Sequence, residues 1–266
     1  MKDVQNQRDH RELPINKVGI KGLRYPITVR DRRTGSQKTV ASIQMSVELP
    51  REFKGTHMSR FIEALQQEQE VIDIRQFGRI LKAIREKLNA RSAHLDMEFP
   101  YFIEKHAPVS GAKSYMDYQC FYQGVSEEGR DIDFTIGVTA PVTTLCPCSK
   151  EISDRGAHNQ RSFVTMQVRF VPPTFLWIED LVEMAEEAAS SAMYALLKRP
   201  DEKFVTERAF DHPRFVEDMV REVAGQLMAR PEVRWFRVES ENLESIHNHN
   251  AFAVIEADKG VGRSDG

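Results

Sequence analysis

From Arg161 to Val171 the chain alternates without a break. Phe163, Thr165, Gln167 and Arg169 fall on one face of an extended segment, and Val164, Met166, Val168 and Phe170 on the other. Strand side chains point to opposite faces with period two, so this stretch buries one face and wets the other as a strand and not as a helix. Thr39 to Leu49 is a second such run, facing Tyr25-Pro26-Ile27-Thr28-Val29 across a turn at Arg33-Thr34-Gly35-Ser36. A chain built on one-sided strands needs a covering layer, and the sequence supplies it as helices.

Ser59 to Gln69 and Asp73 to Leu88 are predicted helices. In the second, Ile74, Phe77, Ile80, Leu81, Ile84 and Leu88 recur at spacings of three and four. Further strand text begins at Met97 and continues over Lys113 to Tyr122 and Asp131 to Thr139. The second half repeats the outline. A long Glu- and Ala-rich helix is predicted from Trp177 to Lys198, stopped by Pro200. Another helix runs from Arg214 to Met228, and strands follow at Trp235 to Ser240 and Ala251 to Glu256. Strand–strand–helix–helix–strand–strand, read twice, predicts an α+β fold with antiparallel sheets and two units, 16–160 and 161–258. The polar residues 1–15 and the Gly-rich residues 259–266 are expected to be flexible ends.

The bulk numbers narrow the function. With 41% hydrophobic and 29% charged residues, 266 positions suffice for a large core without disulfides. Three Cys are an odd number and too few for a secreted scaffold, which favours a reducing cytoplasm. No stretch approaches the ~18–20 apolar residues of a membrane span, and the start Met1-Lys2-Asp3-Val4 carries no apolar leader core. A net charge of −3 argues against a nucleic-acid partner and leaves room for an anionic small molecule.

The chemistry gathers at Cys146-Pro147-Cys148, with His158 twelve positions after Cys146. A thiolate beside an imidazole binds a metal or acts as a nucleophile. In an extended chain residues i and i+2 share a face, and Pro147 fixes a turn between them. Structural zinc fingers space their cysteines more widely, so a catalytic site with one thiolate ligand fits better than a finger. Two buried structural thiols are the plainer account. His247 and His249 lie in the polar run Glu241 to Asn250, as metal ligands, proton carriers or simple loop residues. Gly55-Thr56-His57-Met58-Ser59-Arg60 opens a helix whose N-terminus suits an anion or merely a cap. Glu202 and Glu217 read by themselves as a solvated charge and a first-turn carboxylate.

Together, Thr144-Leu145-Cys146-Pro147-Cys148-Ser149-Lys150, Gly156-Ala157-His158-Asn159-Gln160-Arg161, Gly55 to Phe61 and Glu244-Ser245-Ile246-His247-Asn248-His249 closely resemble GTP cyclohydrolase I of type IB. The resemblance runs from about Val40 to Ile255. It implies tandem tunnelling-fold (T-fold) units, with helices packed on one face of antiparallel sheets that close into an oligomeric barrel. It also implies a cytoplasmic homotetramer with active sites at subunit interfaces. GTP would be opened to 7,8-dihydroneopterin triphosphate with loss of formate, for folate or modified-tRNA deazaguanine synthesis. The implied metal ligands are Cys146, His158 and Glu202, holding Mn²⁺, Fe²⁺ or Zn²⁺, with Cys148 only a neighbour. Glu217 would anchor the purine, and His247 and His249 would move protons. The triphosphate would meet Lys150, Arg161, His57, Arg60 and Lys113, in falling order.

Three other readings compete. A related cyclohydrolase makes the cyclic phosphate of dihydroneopterin from GTP. A related nitrile reductase of queuosine synthesis uses a Cys nucleophile and NADPH, but its Glu-Ser-Lys motif is not found here. A metal-buffering or scaffold protein would show no turnover.

Overall fold

The structure, a computed structural model, describes residues 5, 7–66, 71–171 and 173–260. In chain order its elements are β1 (Ile15–Asp31), β2 (Gly35–Leu49), α1 (Ser59–Gln66), α2 (Ile74–Lys87), β3 (Ser92–His106), β4 (Lys113–Glu127), β5 (Asp133–Leu145) and α3 (Pro147–Ile152). Then come β6 (Asn159–Phe170), α4 (Ile178–Ala188), β7 (Ser191–Ala192), α5 (Arg199–Asp211), α6 (Val216–Ala229), β8 (Val233–Asn242) and β9 (Ala251–Asp258). The fold is α+β around a large sheet in the order β1-β2-β3-β4-β5-β6-β8-β9, with β7 on β5. Two compact units divide the chain: 1–100 with 121–135, and 101–120 with 136–266. β3, β4 and β5 each supply residues to both units. Among the described residues, no helix is long and apolar enough to cross a membrane.

In the first unit β1 and β2 form a long antiparallel hairpin. Its turn is built by Asp31, whose carboxylate accepts the N–H groups of Arg33 (3.0 Å) and Thr34 (2.6 Å) and the Gln37 amide (2.8 Å). Gly35 follows at φ +82°, a left-handed conformation that glycine adopts without strain. β2 pairs antiparallel with β3, Met45 opposite Leu95. Asp73 caps α2 by accepting the N–H groups of Arg75 and Gln76, both at 2.9 Å. The apolar stripe Phe77, Ile80, Leu81 and Ile84 is buried, as its spacing requires. Phe77 meets Phe134 edge-to-face at 5.0 Å, and Phe99 meets Tyr122 in the same way. Each of these rings, removed from water, stabilises the unit by roughly 1.5–3 kcal/mol. Gln5, Gln7 and Asp9 are joined by backbone hydrogen bonds to Gly55, Lys54 and Glu52. At the other end Lys259 donates its N–H to the Arg234 carbonyl, and residues 261–266 lie outside the described residues.

In the second unit the strictly alternating run is β6, with Val164, Met166, Val168 and Phe170 buried. It pairs antiparallel with β8, which pairs with β9. α6 packs Met219, Val220, Val223 and Leu227 into this layer, against β8 and β9. The long helix expected from Trp177 to Lys198 is two elements. α4 ends at Ala188, and the chain turns out through Ser190, whose Oγ accepts the N–H of Leu145 at 3.0 Å. β7 follows, and Pro200 opens α5 instead of stopping a helix. A proline in the first turn loses no hydrogen bond, because that N–H has no helical partner.

Candidate active site

β5 ends at Leu145, and Cys146 caps the short helix α3, its Sγ accepting the Ser149 N–H at 3.5 Å. Pro147 supplies the first helical φ. His158 is the last residue before β6. Cys146 donates its N–H to the His158 carbonyl at 3.0 Å, and the Ser149 hydroxyl accepts the His158 N–H at 3.0 Å. These bonds set the two side chains on neighbouring backbone, both in the wall of one cavity. The shared face expected for Cys146 and Cys148 does not form. Because Pro147 starts a helix, two residues span about 200° around an axis, and Cys148 is exposed while Cys146 is half-buried. The third cysteine, Cys120, is fully buried, and burial, with the charge of Glu179 behind it, pushes its thiol up. It is a core residue and not a nucleophile.

The cavity, about 300 Å³, also takes Glu217, His247 and His249. Glu217 stands in the first turn of α6, where Asp218 accepts the N–H of Phe215 at 2.9 Å. The approach to that turn is tied down by Arg214, whose backbone N–H meets the Leu145 carbonyl and whose Nε meets the Ala188 carbonyl, both at 2.9 Å. His247 and His249 lie in the loop between β8 and β9, with rings stacked at 5.1 Å and 19°. That loop is held at one end by the Leu243 N–H on the Arg161 carbonyl (2.9 Å) and at the other by Asn250 on Glu241 (2.8 Å).

Four polar residues in the cavity wall had no role in the sequence reading: Glu244, Gln160, Asn242 and Arg214. Glu244 Oε2 is 3.9 Å from His158 Nδ1, and both side chains are largely buried. Gln160 Oε1 is 2.9 Å from the same nitrogen. Glu244 had a signal in the sequence, as a carboxylate three residues before a His-x-His pair. Arg214 read as the start of a helix, and Gln160 and Asn242 as ordinary loop polar residues.

The remaining expected residues lie elsewhere. Glu202 is exposed on α5 and does not line the cavity of its own chain. Its neighbour Asp201 is fully buried and accepts from Val109 N–H, Ser110 N–H, Ser110 Oγ and Lys198 N–H at 2.6–2.8 Å. Lys150 donates Nζ to the Phe210 carbonyl and lies 4.2 Å from that ring's centre. Arg161 is exposed, and Lys113 is 3.8 Å from Glu104. His57 and Arg60 belong to the first unit, where Arg60 Nη1 donates to the Lys87 carbonyl at 3.2 Å. The cavity therefore gathers a thiol, three imidazoles and two carboxylates, with Arg214 as the one cation among the residues described in its wall.

Comparison with known proteins matches residues 1–253 to the family profile "Type I GTP cyclohydrolase folE2". The protein named GTP cyclohydrolase FolE2 in Magnetococcus marinus is 55% identical over 256 residues, 96% of each chain. Its namesake in Geobacter metallireducens is 56% identical over 259 residues, 97% of this chain and 98% of that one. Among solved structures, uricase from Arthrobacter globiformis superposes with a TM-score of 0.55 at 9% identity, over 94% of this chain and 96% of that one. Urate oxidase from Bacillus sp. TB-90 gives 0.51 at 10% identity, over 92% of this chain and all of that one. At such identities the likeness is one of fold alone.

Proposed function

We infer the work of this cavity from its lineage: the chain belongs to the type I GTP cyclohydrolase family and is a GTP cyclohydrolase of folate biosynthesis. We propose that it hydrolyses the guanine imidazole ring of GTP at C8, giving 7,8-dihydroneopterin triphosphate and formate. The observation that carries the assignment of residues is the meeting of Cys146, His158, Glu217, His247 and His249 in one cavity from separate stretches of chain.

Cys146 and His158 are donors that suit a divalent metal ion, although among the described residues no three His, Cys, Asp or Glu side chains stand together as a complete metal site. Cys146 and His158 sit on hydrogen-bonded backbone, and the Nδ1 of His158 is engaged by Gln160, which leaves Nε2 for a ligand. With a carboxylate from Glu202 the set is thiolate, imidazole and carboxylate, suited to Mn²⁺, Fe²⁺ or Zn²⁺. A metal bound there supplies a water acidified toward a pKa of about 7, the nucleophile that an aromatic ring demands. Glu217 accepts the adjacent N1–H and N2–H of guanine in two parallel bonds, directing the opposite edge, with N7 and C8, inward. His247 or His249 holds the proton that N7 requires as the ring opens.

A cavity of about 300 Å³ lies at the low end of small-molecule sites. It suits the base and leaves the triphosphate outside, where Lys150, Arg161, His57, Arg60 and Lys113 are the candidate cations. The exposure of Glu202 fits a homotetramer whose active sites lie at subunit interfaces, with Glu202 reaching a neighbouring copy. The element order β1-β2-α1-α2-β3-β4, then β5-β6, helices and β8-β9, supports tandem T-fold units, expected at 16–160 and 161–258, within an oligomeric barrel. The setting proposed is the cytoplasm, with the pterin feeding folate and deazaguanine synthesis.

Incubation with GTP and Mn²⁺ tests this reading. Formate and a fluorescent pterin are expected together. Glu217→Gln should lower kcat/KM by roughly 10- to 100-fold, as expected on weakening a charged hydrogen-bond pair. A parent protein that yields neither product sinks the proposal.

A further inference from the structure

We propose that Gln160 is a positioning residue: backed by Thr144, Ser162 and Asn242, it holds His158 with Nδ1–H turned into the protein and Nε2 turned toward the cavity. The inference rests on the reading of His158 as a metal ligand.

The inward positions of β6 are Gln160, Ser162, Val164, Met166, Val168 and Phe170. Polarity is confined to the end beside the cavity. The neighbouring strands match it there: β5 brings Thr144, and β8 brings Asn242, register partner of Ser162. All four side chains are buried: Gln160 6% exposed, Asn242 3%, Thr144 and Ser162 0%. Polar groups so placed destabilise the core unless every one is bonded. Here they form one chain. His158 Nδ1 is 2.9 Å from Gln160 Oε1, and Gln160 Nε2 is 2.9 Å from Thr144 Oγ1. Thr144 Oγ1 is 2.7 Å from Ser162 Oγ, which is 2.7 Å from Asn242 Oδ1.

At His158 Nδ1 such a chain allows only two states. In one, each member donates to the next, starting from His158 Nδ1–H. In the other, both amides are flipped, every proton is reversed and Nδ1 is a bare acceptor. Glu244 selects between them. Its Oε2 lies 3.9 Å from Nδ1, and a carboxylate only accepts, so a lone pair at Nδ1 would face negative charge. The first arrangement therefore holds, and the Nε2 lone pair points away from the network. Acceptor partners of this kind fix the tautomer of a ligating histidine and raise its basicity.

The test uses the full-length protein, Mn²⁺ alone and a competing fluorescent chelator. Gln160→Met, similar in length but with no acceptor at Nδ1, should weaken Mn²⁺ binding by roughly 10- to 100-fold. Gln160→Glu keeps the acceptor and should restore affinity to within about threefold of the parent. Thr144→Val, which cuts the chain one link further back, should give a smaller loss in the same direction. A second readout needs no metal. ¹⁵N spectra of ring-labelled His158 should show Nδ1–H in the parent and a shift toward Nε2–H in Gln160→Met. Parent-like Mn²⁺ affinity in Gln160→Met, or Nε2–H in the parent, overturns the inference. If His158→Ala binds Mn²⁺ as the parent does, the ligand reading fails instead, and the spectra still decide the role of Gln160.

Discussion

Cys146 and Cys148 are one residue apart and meet different surroundings, because Pro147 opens a helix between them. Cys146 caps that helix and faces the cavity, while Cys148 is exposed in the first turn. Cys146→Ala should lose tight Mn²⁺ binding and formate release together. Cys148→Ala should keep both within about threefold, as for a surface change away from special features. Metal content after dialysis, read beside formate release, checks this; metal lost only in Cys148→Ala would reverse the assignment. Cys146, His158, Glu217, His247 and His249 were legible as a set because short motifs carry them and a family resemblance joins the motifs. Gln160 and Asn242 were not. Gln160 has the same parity as Val164 and Met166 in β6, but it precedes the alternating run that begins at Arg161, so the sequence left it in a loop. What the alternation cannot give is the partner that makes a buried amide tolerable, because Thr144 and Asn242 arrive from other strands.

At the scale of elements, Asp201 decides how α5 is seated. Asp201 ties its first turn to the β3–β4 connection through Val109 and Ser110, one residue before Glu202. Burial raises the carboxyl of Asp201, but the Ser110 hydroxyl and the N–H groups of Ser110, Lys198 and Val109 outweigh it and hold it well below the ordinary carboxylate range. A lowered folded pKa means that the contribution is complete above the unfolded value, about 3.9, and is lost as pH falls through the folded one. Asp201→Asn should therefore lower Tm by a few degrees, and by a constant amount from pH 5 to 8. The gap should narrow only below about pH 4. Thermal melts of both proteins across that range test it, and a gap that widens in acid would refute the linkage. Sequence reading carried α4 on to Lys198 because Ala- and Glu-rich text favours helix and nothing before Pro200 broke the pattern, and Pro200, read as a stop, hid α5. The break is made at Ser190, by a hydrogen bond to Leu145 that is distant in sequence. Pro200 was ambiguous for a physical reason, since proline both follows helices and begins them.

For the whole molecule, the proposed metal site leaves open which chain would bring Glu202 to it. Cys146 and His158 share one cavity wall, and Glu202 is exposed on α5. The edge strand β9 leaves Phe252 70% exposed and Val254 39% exposed. Apolar side chains on an open edge invite a further chain. If a neighbouring copy supplies Glu202, two inactive variants can repair each other. A Cys146→Ala chain retains Glu202, and a Glu202→Ala chain retains Cys146 and His158. In oligomers assembled at random from equal amounts, about a quarter of interface sites would join an intact Cys146 to an intact Glu202. Co-expression should therefore give about a quarter of the parent's formate release, although each variant alone is inactive. If each site draws all its ligands from one chain, every site carries one lesion at any mixing ratio, and no activity returns. Recovery thus depends on the symmetry of the site rather than on its chemistry, and a mixture that stays inactive although mass spectrometry shows hybrid oligomers would rule out a shared site.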